Sequence, residues 1–86
     1  MAVLVNTTVP LDISVYDQMS AGLTEPCKAA PGFRSHVAYP VTGGFVVSEI
    51  WDSAEDHRAF FESAVKPNVP DGVTVDVIEL RNIFSA

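Results

Sequence analysis

Four side chains that can exchange protons or stack on a flat ring, Arg34, His36, Glu49 and Trp51, sit in one short stretch, GFRSHVAYPVTGGFVVSEIWDS, from Gly32 to Ser53. Two alternating runs meet there at Thr42-Gly43-Gly44, and a Thr-Gly or Gly-Gly turn favours a hairpin loop of two or four residues. With either length, even positions of the first run lie opposite odd positions of the second. Cross-strand partners share a face, so the four are expected to point the same way. A basic group, an imidazole, a carboxylate and an indole together suit acid–base chemistry beside an aromatic ligand. His36 is the candidate proton shuttle near neutral pH, with a satisfied structural histidine as the alternative. Glu49 is the candidate general base, or else the ion-pair partner of Arg34. Trp51 is the candidate stacking wall, or else a core residue whose N–H has found a partner.

Other residues extend that set. Asn6 falls inside a β-branched first run, where a buried amide needs a backbone partner or a ligand carbonyl. His57 lies on an apolar helical stripe and faces inward, as a packing anchor or a second site histidine. Arg34, His57, Phe60 and Tyr16 are expected to bind substrate; His36 and Glu49 are expected to act on it, with Trp51 beside them.

These residues need elements to hold them. Val3 to Thr8 reads as a strand closed by Pro10. From Leu11 to about Glu25, Ile13, Tyr16, Met19 and Leu23 form one apolar stripe on a helix, which Glu25-Pro26 is expected to end. After the hairpin, Ser53 is the N-cap of a second helix, with Asp56 in a capping-box position and Glu55 beside it at the positive end of the dipole. That helix is expected to run to Lys66 and stop at Pro67, with His57, Phe60, Phe61, Ala64 and Val65 on its inner side. Val73 to Leu80 alternates as a last strand. Strand, helix, strand, strand, helix, strand gives an α+β, ferredoxin-like βαββαβ with a four-stranded antiparallel sheet. Two helices cover one face of such a sheet; the other is expected to meet the sheet of an identical subunit.

Composition sets limits. A lone domain spanning all 86 residues removes only roughly 60–65% of its unfolded surface from water, yet 48% of the residues are hydrophobic and the mean hydropathy is +0.23. Self-association is the simplest outlet for that excess. Five Lys plus Arg against eleven Asp plus Glu leave a net charge of −6, which disfavours nucleic acid and anionic membranes as partners. No apolar run approaches the roughly 18 residues that span a bilayer, and Met1 to Asn6 lacks a signal-type core, so a cytoplasmic location is expected. A single cysteine, Cys27, excludes an intrachain disulfide and a thiolate-built metal site, and reads as a packed thiol. Two histidines on separate elements with no paired carboxylate motif give no recognisable zinc or iron site. Gly43-Gly44 is a turn rather than a phosphate loop, and no Ser-His-Asp arrangement occurs.

The segment GFRSHVAYPVTGGFVVSEIWDSAEDHRAFFESAVKPNVP resembles the dimeric α+β barrel superfamily, in particular small antibiotic-biosynthesis-monooxygenase-like proteins. The likeness rests on a strand ending in Glu-x-Trp-Asp-Ser, an acidic helix start and an aromatic pair, and extends over the whole chain. It implies a homodimeric α+β barrel and a cofactor-independent monooxygenase acting on a small aromatic or polyketide-type metabolite. The cavity would lie between sheet and helices, with Asn6 holding a substrate oxygen or dioxygen and Trp51 packing on the ring. It implies neither cofactor nor metal. A non-catalytic ligand-binding dimer and a cyclase or isomerase of the same fold are the alternatives. Haem-degrading relatives carry an iron-ligating histidine on the second helix where this chain has Phe60-Phe61, and His57 comes too early to replace it.

Overall fold

A computed structural model describes residues 1–86. The elements are β1 (Val3–Val9), α1 (Ile13–Ala29), β2 (Phe33–Val41), β3 (Gly44–Trp51), α2 (Ala54–Phe60) and β4 (Thr74–Glu79). The strands form one antiparallel sheet in the order β2-β3-β1-β4, which is the expected ferredoxin-like α+β arrangement. The hairpin closes with Val41 opposite Gly44, so its loop is Thr42-Gly43. Gly43 has φ +86°, a conformation that costs a residue without Cβ almost nothing.

Both helices start as their sequences direct and end differently. The Asp12 carboxylate accepts the Ser14 N–H at 3.0 Å at the start of α1. The expected stop at Glu25-Pro26 does not occur, and the helix continues to Ala29 with Pro26 inside it. Proline costs that turn a hydrogen bond and presses on the carbonyl four residues back. Burial compensates: Cys27, one residue on, packs with Val3, Val5 and Trp51 in the core. In α2 the Ser53 hydroxyl accepts the Asp56 N–H at 3.1 Å, as the N-cap pattern requires. Regular α-helix ends at Phe60 rather than near Lys66. Phe61–Val65 widens into a π turn and Lys66–Asn68 tightens into a 3-10 turn that accommodates Pro67. Widened turns of this kind often border functional sites, and here Phe61 and Val65 both reach a cavity wall.

Alternation divides the sheet. Val3, Val5 and Val9 of β1 and Phe45 and Trp51 of β3 are buried beneath the helices. Leu4, Val46, Ile50 and Ile78 occupy the opposite parity, together with Val37 and Tyr39 of β2. The helices leave this second face uncovered: Val37 is 60% exposed and Ile78 47%.

Candidate functional site

A cavity of about 560 Å³ opens between the helix-facing side of the sheet and the inner sides of α1, α2 and the π turn. Most of its lining is apolar, including Met19, Leu23, Phe45, Phe60 and Phe61. Ser20, Thr24, Lys28 and Ser35 add polar groups, and a chain of hydrogen bonds runs along one wall. Tyr16 Oη lies 2.6 Å from His36 Nε2, and His36 Nδ1 lies 2.6 Å from Glu49 Oε2; a neutral imidazole facing an ionised carboxylate donates from Nδ1, which leaves Nε2 to accept the phenol proton. The other carboxylate oxygen of Glu49 accepts the Trp51 indole N–H at 3.0 Å. Cys27 S–H completes the cluster, donating to Glu49 Oε2 at 3.8 Å.

Each link follows from local structure. His36 and Glu49 are direct cross-strand partners, and cross-strand partners point to the same side. Glu49 and Trp51 are two apart on one strand and share that side. Tyr16 descends from the α1 stripe, with its ring 5.9 Å from that of His36 and 5.7 Å from that of Phe45. The cluster leaves no buried side-chain polar atom without a partner.

Environment sets the protonation. Burial pushes the Glu49 carboxyl upward, but the hydrogen bonds from His36 and Trp51 more than reverse this and hold it below its ordinary 4.5. Burial and the neighbouring Glu49 carboxylate raise the Tyr16 phenol above 10.0, so it keeps its proton near neutrality. Burial, followed by the charge of Glu49 and the hydrogen bond to it, pushes the Cys27 thiol up to about 12. His57, 6% exposed, is pushed below 6.5 mainly by burial and further by Arg58, against the pull of Glu49.

Stability inherits these shifts. Cys27 ionises less readily folded than unfolded, so its contribution to stability is complete below its ordinary 9.0 and is lost as pH rises towards about 12. His57 and Glu49 act at the other end. Their contributions are present above 6.5 and 4.5 respectively and decline as pH falls through each lowered folded value. Chemical unfolding across pH is therefore expected to show stability falling on both sides of neutrality. At pH 8, Cys27 in the native protein is expected to react with iodoacetamide far more slowly than the denatured chain. Equal rates would contradict the buried, protonated thiol.

The structure brings together most of the expected site residues and separates three. His36, Glu49, Tyr16, His57 and Phe60 line the cavity. Arg34 does not: the register shifts between Phe33 and Ser35, so Phe33 rather than Arg34 lies opposite Trp51. The guanidinium turns outward to an ion pair with Asp52, and Glu49 pairs with His36 instead. Asn6 takes the opposite face of the sheet, where its Oδ1 accepts the Ser48 hydroxyl at 2.7 Å; the cavity side at that end of β1 is lined by Thr7 and Val9. Trp51 is fully buried, edge-on to Phe33 and His57 and tilted against Phe60. It supports the cavity floor without reaching the open space. Within the hydrogen-bonded cluster, Cys27 is the residue that spacing alone does not select. Its one signal is a lone thiol placed a helical turn beyond Leu23 on the inner stripe.

No model of a known protein family matches this sequence, and no curated protein does. Solved structures do match in fold. The chain superimposes with a TM-score of 0.74 and 16% identity on the heme-degrading protein Rv3592 of Mycobacterium tuberculosis, covering 100% of this chain and 98% of that one. A candidate antibiotic biosynthesis monooxygenase from Deinococcus radiodurans gives 0.67 and 14%, over 100% and 98%. A point mutant of SnoaB, a cofactor-independent oxygenase from Streptomyces nogalater, matches at 0.65 and 12%, over 99% and 97%. Over its whole length, the chain has the ferredoxin-like α+β fold of these antibiotic-biosynthesis-monooxygenase-type structures.

Proposed function

We infer that this protein is an enzyme that takes a flat aromatic or polyketide-type metabolite into the cavity and moves a proton through Tyr16, His36 and Glu49. The observation that carries this reading is the pair of 2.6 Å hydrogen bonds joining the three side chains on the wall of a mostly apolar cavity. An apolar pocket with a few convergent polar groups is what small-molecule sites have in common. With Glu49 ionised and the imidazole proton on Nδ1, Nε2 is an acceptor and Tyr16 donates to it. A substrate proton delivered to the Tyr16 oxygen passes the phenol proton on to His36, and the Glu49 carboxylate stabilises the imidazolium that forms.

For a ligand whose ring system carries an acidic CH2 between aromatic rings, this step leaves a carbanion. In a cofactor-independent oxygenation the carbanion itself reduces dioxygen. Carbon and oxygen form a bond, the relay returns its proton to give a hydroperoxide, and loss of water leaves a carbonyl. One oxygen atom enters the product and the other leaves as water. The apolar walls around Phe45 and Phe60 withhold bulk water from the carbanion.

Haem finds no preformed axial ligand here: the cavity-lining nitrogen of His36, Nε2, is held by Tyr16, and His57 is buried with its ring packed against Trp51 and Phe61. The uncovered apolar face of the sheet supports the further reading of a homodimer, and no helix is long and apolar enough to cross a membrane; a cytoplasmic role in secondary metabolism completes the proposal.

Purified protein incubated with anthrone-type substrates, in air and under anaerobic conditions, tests the reading by product mass. Oxygen-dependent gain of a carbonyl supports the oxygenase. Cyclised or isomerised product formed equally without oxygen assigns the same relay to a cyclase or isomerase. Ligand binding without turnover of any panel member contradicts an enzyme.

A further inference from the structure

Cys27, His36 and Glu49 come from α1, β2 and β3, yet a sulfur, an imidazole nitrogen and a carboxylate oxygen from them lie within 4.8 Å of one another. We propose that they form a binding site for one divalent transition-metal cation of borderline softness, of which zinc is the type, with Cys27 Sγ, His36 Nδ1 and Glu49 Oε2 as ligands.

The hydrogen bonding points to the position. Glu49 Oε2 accepts from both His36 Nδ1 and Cys27 Sγ, so two replaceable protons converge on one oxygen, and a cation at that junction takes their place. One cysteine cannot build a site of thiolates alone, and no spacing in the chain announces a zinc site, but the fold gathers a mixed donor set: thiolate, imidazole and carboxylate are ligands that zinc combines in its protein sites. All three residues line the cavity, which leaves the fourth position of a tetrahedron facing open space. Three protein ligands and one open position is the pattern of reactive rather than structural zinc. At bond lengths of about 2.0–2.3 Å, tetrahedral donors lie roughly 3.3–3.7 Å apart. The 2.6 Å contact between His36 and Glu49 opens and the widest separation closes, each by about an ångström on that geometry.

Charge favours the same conclusion. A doubly charged cation held by one thiolate and one carboxylate is neutral overall, and a neutral group is what these apolar surroundings tolerate. The outer partners are also in place. Trp51 N–H holds Glu49 Oε1 at 3.0 Å and so leaves Oε2 for the metal. Tyr16 Oη, 2.6 Å from His36 Nε2, accepts the ring proton once Nδ1 becomes a ligand, and a partner on the far nitrogen of a metal-bound histidine fixes its tautomer in this way. Protons balance: the thiol proton leaves to solvent, the imidazole proton moves from Nδ1 to Nε2, and one proton is released per cation bound. The site goes beyond the aromatic-ligand reading and does not depend on it. A cation here occupies the lone pairs that the proton path uses, so the loaded protein does not run that path.

Chelator-stripped protein titrated with cobalt(II) provides the test, because a thiolate–cobalt bond gives an intense near-ultraviolet charge-transfer absorption. One equivalent is expected to bind, with that absorption and the strong visible bands of a four-coordinate ion, and zinc is expected to displace it. Cys27→Ser is expected to abolish the charge-transfer absorption. Losing even an outer partner of a ligand costs roughly 10–100-fold in affinity, so His36→Ala and Glu49→Gln are each expected to weaken binding at least tenfold. Circular dichroism reports whether each variant folds, and the wild-type spectrum decides by itself should one not. Excess cobalt giving no charge-transfer absorption in the wild type overturns the proposal, as does absorption that persists in folded Cys27→Ser. Turnover of an aromatic substrate enters none of these readouts, so failure here leaves the enzymatic reading standing and the reverse also holds.

Discussion

Replacing His36 with alanine is expected to lower turnover of an anthrone-type substrate by roughly 10²–10⁴-fold, the range supplied by a positioned general base. The reason is that His36 is the link between the phenol of Tyr16 and the carboxylate of Glu49. Without it, a proton on the Tyr16 oxygen has no acceptor behind it, and Tyr16, whose own ionisation is driven upward by burial and Glu49, cannot serve as the base near neutrality. The loss is expected in kcat, with KM changed only a few-fold, because the apolar walls that hold the ligand remain. Glu49→Gln keeps the shape but removes the charge that stabilises the imidazolium, and a loss in the same direction is expected. A His36→Ala enzyme with unaltered kcat would show that the hydrogen-bonded chain is only structural.

Trp51→Ala is expected to destabilise the fold by about 3–5 kcal/mol, as truncation of large buried aromatics does. Trp51 is fully buried and meets three rings, Phe33, His57 and Phe60, at centroid distances of 5.4, 5.7 and 5.6 Å. Its removal leaves a cavity among them and takes the indole N–H from Glu49 Oε1, so a buried carboxylate loses a donor as well. Small domains are stable by only about 5–15 kcal/mol in total, so the loss is a large fraction of the whole. Thermal unfolding is expected to move down by more than about 12 °C. A shift of a degree or two would instead favour the stacking-wall role suggested by its place beside the second helix.

Particular residues show what the sequence can and cannot convey. Period-two alternation and a turn at Thr42-Gly43-Gly44 are enough to put His36 and Glu49 on one face; that they are direct partners depends on which residues form the loop, and Val41 opposite Gly44 is what fixes it. Arg34 escapes that reasoning because Gly32 reads as the turn before the strand rather than as a sign of the register shift between Phe33 and Ser35, and one extra residue is enough to turn a side chain to the other face. Asn6 is legible from parity. Val3, Val5 and Val9 define the buried side of β1, which sends Asn6 to the far face beside Ser48; the ligand-carbonyl alternative and the family resemblance both turn it toward a ligand instead.

Tertiary packing supplies the rest. A helix stopped at Pro26 would leave Cys27 in a loop, and only the packing of that last turn against Val3, Val5 and Trp51 brings the thiol to Glu49. Tyr16 meets His36 across 20 positions of sequence, a contact made when α1 docks over the hairpin and invisible to any local pattern. The π turn that aims both Phe61 and Val65 at the cavity has the same origin. Propensity reads Phe61–Val65 as ordinary helix, and the demands of packing override it.

Proton abstraction in the cavity is the claim on which the functional account depends, and deuterium exchange measures it without dioxygen or product chemistry. In anaerobic heavy water, the wild-type protein is expected to speed exchange at the methylene of an anthrone well beyond the buffer rate, and His36→Ala is expected to return it to that rate. Exchange at the buffer rate with the wild type, or acceleration that survives in His36→Ala, would contradict the account.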